Sequence, residues 1–514
     1  MIDLSALYRK GTDIRSSFLQ RAYRSSTLTI PALLPPQGSG RDQLPQNYSS
    51  VGARGVNSLS SKLALSLFPT ATPFFRLQLS PFAKKALATQ AGGADTVAEV
   101  QAQIEKNLSL IEESTRISFE TGGWRSVMSE AMKHLLVAGN ACVFVSDDGV
   151  QMLDLRKFTV ERDPEGNLVN VVIHQMIDKM RAAELVPKGT QLADAKDTSE
   201  ITGSNTTKSV SMYTGAIRQP NGSYKFLQQI ADVTVFERVY TEKKLPLIPL
   251  RFNAISGESY GSGYIEEYDG DLLSLEALSR SITESALVAA KTLLLVRPGA
   301  AITPRTVATA PNGAVRQGQA EDVSAFRLDK HADLSVAERR AVTIESRLQL
   351  AFLMAHQRQA ERVTAEEVRS VIQELEDGLG GVYSSLASAV QRPIVDFLLS
   401  KVLARKDVPE LPKEVEPIII TGLDAISRGQ TANKLLQAGA IAQQVLGPES
   451  VMRALDERAT LLSIFTSVGL DADTLLKSAE EIAADQQQAQ MMALAERAAP
   501  NAVNAMSQAA QPSQ

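Results

Sequence analysis

The sequence has one cysteine, Cys142, so no internal disulfide can form and nothing calls for an oxidising compartment. Its four histidines, His134, His174, His331 and His356, lie far apart, with no Cys/His spacing of a zinc site. The single tryptophan, Trp124, reads as a packing anchor. Long apolar runs are missing. The stretch Leu293-Leu294-Leu295-Val296 falls far below the ~20 residues that span a bilayer. The N-terminal MIDLSALYRKGTDIRSSFLQR alternates charged and apolar residues and lacks the apolar core of a signal peptide. No GxxxxGK[ST] phosphate loop occurs, which argues against a P-loop ATPase. Positive charge is not in excess either: 53 Lys and Arg against 58 Asp and Glu leave −5. That argues against coating nucleic acid through a bulk basic surface, while leaving room for a local basic ring in an acidic body.

What is present is ordinary globular material, 44% hydrophobic and 22% charged. Over 514 residues it predicts about three domains, or one elongated subunit of several parts. The expectation is an intracellular, soluble, multi-part protein.

Residues 3–24 read as a basic amphipathic helix, with Leu4, Leu7, Ile14, Phe18 and Leu19 among Arg9, Lys10, Arg15, Arg21 and Arg24. The prolines and glycines of 31–50 predict loop. Helices follow at 51–67, 95–120 and 124–138, the last stopped by Gly139-Asn140, with FFRLQLS (74–80) as a short strand. From 141 the period becomes alternating. CVFVSDDGVQML and KFTVERDPEGNLVNVVIHQM predict hairpins, the second turning at 163–167. Residues 186–208 read as an exposed loop, and a further hairpin, turning at 219–222, carries YKFLQQI and VTVFERVY as strands. The antiparallel block does not resemble βαβ units.

Helix returns at 264. Ile265, Tyr268, Leu272, Leu275, Ile282, Ala286, Ala289, Leu293 and Val296 follow a 3.5-residue period, with Glu266, Glu267, Asp269 and Asp271 at the start and Lys291 and Arg297 at the end. A helix that long, ~50 Å, expects neighbours along its length. Residues 298–330 interrupt it and end in a β-like AFRLD, and a second helix covers 333–354. After a polar connector, AHQRQAER (355–362), Thr364 and Glu367 form a capping box flanked by Val363 and Val368. The helix they start predicts a kink at Gly378, Gly380 and Gly381 and a limit at Pro393. Residues 483–514, rich in Ala and Gln, predict a terminal helix up to Pro500 with a loose end beyond.

Gly257-Glu258-Ser259-Tyr260-Gly261 matches the G-x-S-x-G nucleophile elbow, and chain order would allow Asp329 or Asp333 with His356 as partners. Against a hydrolase, the upstream chain lacks alternating strands and helices and an oxyanion segment. A glycine-rich lead into the long helix is the plainer reading. Glu374, Glu376 and Asp377 do not all share a helix face and read as a solvated surface rather than a metal site. Arg297, Arg305, Arg316, Arg327 and Lys330 gather in the interrupted region, and Arg358 and Arg362 in the connector. In a monomer these are scattered charges. In a symmetric ring each becomes a circle of charge that attracts phosphate without reading sequence.

Six stretches together resemble one family, the head-to-tail connector or portal proteins of short-tailed double-stranded DNA phages: TIPALLP (29–35), VGARGVNSLSSKLALSLFP (51–69), LVAGN (136–140), GESYGSGYIEEYDGDLLSLEALS (257–279), ERVTAEEVRSVIQELEDGLGGVYS (361–384) and LPKEVEPIIITGLDAISRGQ (411–430). They occur in the family's order, and the match weakens before about 20 and after 430. The resemblance implies an α+β, mainly helical portal fold with wing, stem, clip and crown parts, assembled as a ring of about twelve subunits around a channel. Placed on this chain it implies a wing over 1–263, stem helices at 264–297 and 331–354, a clip at 298–330 and a tunnel loop at 355–363. A long wing helix with its return would take 364–425, the crown 426–482, and a barrel helix or disordered tail 483–514.

The function so implied is non-enzymatic: a DNA channel at one capsid vertex, for genome packaging and ejection and for head-to-tail attachment. The implied partners are non-specific double-stranded DNA, the terminase large subunit, a tail adaptor, and the major capsid and scaffolding proteins, with no membrane and no cofactor or metal. The implied place is the virion, with assembly in the host cytoplasm. Arg358 and Arg362 are the expected DNA contacts in the tunnel loop. Arg305, Arg316, Arg327 and Lys330 are expected to meet DNA, terminase or adaptor at the clip. The alternatives are a serine hydrolase using Ser259 and a ring-forming scaffold that does not touch DNA.

Overall fold

The computed structural model describes residues 2–36, 44–70, 74–79, 94–146, 149–187, 209–289, 293–326 (except 301, 312, 316 and 318), 331–354, 365–405, 417–421 and 444. Apart from 444, these belong to one compact unit, Met1–Gly422. The segments expected to form the tunnel loop, the crown (apart from 444) and the terminal helix lie outside the described residues.

Four helices lead the chain: α1 (Leu4–Leu28), α2 (Val51–Leu67), α3 (Ala94–Thr121) and α4 (Trp124–Ala138). All match the hydrophobic periods that predicted them, α1 running four residues further. Asp3 caps α1 by accepting the Ala6 N–H at 3.0 Å. Gly139, in a left-handed conformation, ends α4 and turns the chain into strand. Trp124 is buried and packs beside Phe119 and Phe397, an anchor as expected. Strand β1 (Phe75–Leu79) lies in the predicted place.

The β-rich block holds β2 (Asn140–Ser146), β3 (Gly149–Leu153), β4 (Phe158–Arg162), β5 (Leu168–Asp178), β6 (Ser209–Arg218), β7 (Tyr224–Ile230), β8 (Val233–Tyr240) and β9 (Leu247–Arg251). They form a three-stranded sheet, β3-β2-β9, and a five-stranded sheet, β4-β5-β6-β7-β8, antiparallel throughout. One turn differs from expectation. The 219–222 turn joins β6 to β7, while β7 and β8 meet at Ala231-Asp232, both at positive φ. That two-residue turn has no glycine, so composition hid it. A short helix, α5 (Lys179–Leu185), was also not foreseen.

Helix α1 passes the β4 edge of the large sheet. Its first turns, with Leu4 and Tyr8, pack on Val172 and Leu227. Its later turns, with Phe18, Leu19 and Ala22, join a core with Phe158, Val160, Val171, Ile173 and Phe226. Val172 and its neighbours point to opposite faces of the sheet, so the two ends of α1 cover the two faces. The crossing falls at Gly11, where a Cβ would lie 2.6 Å from Thr159 Cβ. Just beyond it Arg15, one of the basic residues named in the sequence of this helix, is fully buried. Its Nη1 donates to the carbonyls of Leu155 (3.1 Å), Arg156 (2.6 Å) and Phe158 (3.0 Å). Helical period puts Arg15 beside Phe18 and Leu19 on the apolar face, but it cannot show the three carbonyls that a distant loop gathers there.

Two tiny strands, β10 (Asn253–Ala254) and β11 (Gly261–Ser262), then lead into the helical hairpin treated below. Buried Asn140 fastens this junction. Its Nδ2 donates to Gly261 O and its Oδ1 accepts the Gly261 N–H, both at 2.8 Å, while Nδ2 also reaches Ala138 O at 3.0 Å. Two of the quoted motifs, LVAGN and GESYGSG, thus meet at one side chain. Replacing it with Ala orphans buried backbone groups at roughly 1–3 kcal/mol each. We therefore expect Asn140→Ala to lower the denaturant midpoint at an unchanged m-value; a midpoint equal to the parent's would refute the seam.

Candidate functional site

The chain from 264 to 354 forms a hairpin of two long helices. A single turn (Ile265–Tyr268) precedes α6 (Asp269–Ala289), and α8 (His331–Ala351) returns; each helix has 21 residues, or ~31 Å. This corrects the continuous helix expected over 264–297. Leu293–Val296 is instead a strand, β12, paired antiparallel with β13 (Val323–Phe326). Four aliphatic residues fit helix and strand alike, and the partner that decides comes almost 30 residues later. Between the two strands lie a short helix, α7 (Pro304–Ala308), capped by Thr303, and a turn with Val315 96% exposed.

The hairpin is rooted at one end. Tyr264 and Tyr268 pack on Phe352, and the Tyr264 hydroxyl donates to Ala351 O at 2.9 Å. Burial pushes the Tyr264 phenol pKa up, so it stays a donor. Phe352 lies against Gly55 of α2, where a Cβ would stand 2.3 Å from the ring. Lys62 of α2 donates to Leu353 O at 2.6 Å and pairs with Glu374 at 2.7 Å. The acidic start of α6, read from sequence as a dipole complement, is largely a docking surface. Glu266 pairs with Arg21, Asp269 accepts from Ser25 and faces Arg24, and Asp271 pairs with Arg347 across the hairpin. Burial pushes the Asp269 carboxyl up, and Ser25 and Arg24 offset part of that.

Beyond Leu275 on α6 and before Ile344 on α8, neither helix has a buried side chain among the described residues. Leu272 and Leu275 are buried on α6, and Ile344 and Leu348 on α8. Leu273, Leu287 (62%) and Val288, with Val336, Val342 and Leu350 (69%), are exposed. On α6 these exposed residues lie outside the 3.5-residue stripe, whose Ile282 is half-buried, so a second apolar surface is left uncovered by the chain itself.

Of the residues singled out for function, Arg297 and Arg305 are exposed in the segment between the two helices. Arg316, Arg327, Lys330, Arg358 and Arg362 lie outside the described residues, as do Asp329, His356 and Thr364. Helix α9 (Ala365–Leu379) begins directly after Thr364, and Gly380, at φ 56°, breaks it from α10 (Gly381–Leu386) at the expected kink. Pro393 does not end the run. A π-helical turn over Ala387–Gln391 contains Ala389, four residues before the proline, and α11 (Arg392–Val402) continues beyond it. A widened turn relieves the clash a proline makes with the carbonyl at i−4. Among the described residues the last strand, β14 (Pro417–Thr421), pairs with β1.

The G-x-S-x-G match is a sheet-edge cap. Ser259 Oγ accepts the Arg162 N–H at 3.1 Å and the Tyr260 hydroxyl accepts the Val160 N–H at 3.0 Å, both on edge strand β4. Ser259 is followed by β11, not by the helix an elbow requires.

The profile of the bacteriophage head to tail connecting protein family matches residues 3–476. The chain belongs to this family. It is 35% identical to the portal protein of Enterobacteria phage T3, over 93% of this chain and 88% of that protein. It is 34% identical to the portal protein of Escherichia phage T7 with the same coverage, and 30% identical to that of Pseudomonas phage phiKMV over 93% of both chains. A chain in the solved neck of a native GTA particle, computed with C12 symmetry, aligns at TM-score 0.36 and 10% identity, over 85% of this chain and 96% of that one. That likeness is too distant to carry an argument. The head-to-tail connector reading is borne out, and the hydrolase reading has no support.

Ser259 in this connector acts as an acceptor for a backbone N–H. Ser259→Ala should cost about 1 kcal/mol through the orphaned Arg162 N–H and leave any ester hydrolysis by the preparation unchanged. Loss of a measurable esterase activity in that variant would overturn the assignment.

Proposed function

We propose that copies of this connector assemble into a ring of about twelve subunits around a channel, at one capsid vertex, through which genomic DNA enters and later leaves. The observation that carries the proposal is the uncovered apolar face of α6 and α8. A hairpin rooted only at its base needs lateral neighbours, and copies of itself supply them. In this reading 264–297 and 331–354 form the stem, 298–330 the clip, 355–363 the tunnel loop, and 1–263 with 364–425 the wing. Residues 426–482 form the crown and 483–514 a terminal barrel helix. The chain does no chemistry of its own. A terminase large subunit docks on it during packaging and supplies the work, and a tail adaptor later binds the clip. Major capsid and scaffolding proteins surround it during assembly in the host cytoplasm, and in the virion it sits at the portal vertex.

Electron micrographs of the purified full-length chain test the assembly. Rings with a central hole are expected, and Leu287→Asp with Leu350→Asp should shift the population toward smaller species. A monodisperse monomer at micromolar concentration would end the proposal.

DNA contact is assigned to Arg358 and Arg362, with Arg305, Arg316, Arg327 and Lys330 second. Guanidinium stays charged at any relevant pH and grips phosphate oxygens whatever the base sequence, and ring symmetry multiplies it into a circle. The double variant Arg358→Ala, Arg362→Ala should leave rings intact and reduce packaging or retention of DNA in assembled heads. Normal packaging together with normal retention would instead place these charges away from the bore.

A further inference from the structure

Two arginines at the rim of the β-rich block converge on one turn, and neither forms an ion pair among the described residues. Arg162 closes β4 and Arg251 closes β9, and both reach Gly166 in the β4–β5 turn. Arg162 Nη1 donates to Gly166 O at 3.0 Å, and Arg251 Nη2 stands 3.3 Å from where a Cβ on Gly166 would lie. Their other acceptors are neutral as well: Arg162 Nη2 donates to Pro249 O at 2.9 Å and Arg251 Nη1 to Glu258 O at 3.1 Å. Among the described residues neither guanidinium forms an ion pair. The adjacent carboxylate, Asp163, is taken by the N–H and side-chain amide of Asn167, at 2.7 and 2.9 Å, and by Arg218 at 3.5 Å. Arg162 Nε is buried without a hydrogen-bond partner.

Carbonyl oxygens solvate a guanidinium but do not cancel its charge. Burial pushes Arg162 down to about 10, and the nearby Arg251 charge pushes the same way; burial also lowers Arg251. Two like charges held together in a half-buried place cost free energy that an anion would relieve. We propose that Arg162 and Arg251 form a binding site for a tetrahedral oxyanion of the phosphate class, between the β4–β5 turn and the 257–259 loop. Two guanidinium groups arriving from different strands suit an anion with oxygens in several directions, whereas a carboxylate offers one planar edge that a single arginine satisfies. The rim is open, since Glu165, Gly257 and Glu258 are exposed. The site draws on no part of the channel proposal. Its occupant is either free inorganic phosphate or a phosphodiester of nucleic acid.

Thermal unfolding of the full-length chain, in inorganic phosphate and in chloride at equal ionic strength, tests this directly. Phosphate should raise the melting temperature saturably and chloride should not. Arg251→Gln, at a half-exposed position, should weaken the apparent phosphate affinity about tenfold or more. A short oligonucleotide that competes with phosphate would identify the phosphodiester as occupant, and one that does not compete would leave the free ion. Equal shifts in phosphate and chloride would overturn the site without any variant. So would an undiminished phosphate response in a folded Arg251→Gln protein.

Discussion

The apolar surface that α6 and α8 cannot cover by themselves is the constraint on which the rest of the architecture depends. A buried Leu or Val side chain stabilises by roughly 1.5–3 kcal/mol, and along most of this hairpin that stabilisation is not collected within one chain. Leu287 stands more than half exposed on a helix whose other end is packed tightly, and Leu350 is more than half exposed beside the root itself. An isolated helix of this length is marginal in water, so the hairpin relies on its root until something else covers it.

The root is correspondingly over-determined. Tyr264, Tyr268 and Phe352 hold the two helix ends together, Gly55 lets α2 approach that cluster, and Lys62 ties it to the helix after the connector. Helix α1 fixes the acidic side through Arg21, Ser25 and Arg24. Because α1 is itself pinned to the large sheet by Arg15 across Gly11, a displacement of the hairpin is resisted by the β-rich block. For a family that joins phage head to tail, this couples the exposed hairpin mechanically to the body that carries it.

The motifs that marked the family in sequence have physical reasons in the fold. LVAGN ends α4 at a left-handed Gly139 and delivers Asn140 to the Gly261 backbone, and GESYGSG supplies the hydroxyls that cap edge strand β4. The serine motif read as possible chemistry is an edge seal: five residues matched a pattern whose meaning rests on the strand–turn–helix context around it. Arg15, named in sequence only as one of the basic residues of α1, is buried on its apolar side for a related reason. Amphipathic period places a residue on a face but does not say what lies opposite that face.

Local physics, written in the sequence itself, determined the helices α1 to α4, the hairpin of β4 and β5, the helix start after Thr364 and the break at Gly380, because caps, turn residues and hydrophobic period act within a few residues. The same reading carried the family, through motifs long enough to be specific. Tertiary structure decided the fate of Leu293–Val296, which became strand because Val323–Phe326 was there to pair with it. It also decided the passage of Pro393, through a widened turn, and the burial of Arg15. The strand and the buried arginine depend on atoms brought from distant parts of the chain, where the energy of pairing or of a filled hydrogen bond overrides a local preference worth less than about 1 kcal/mol.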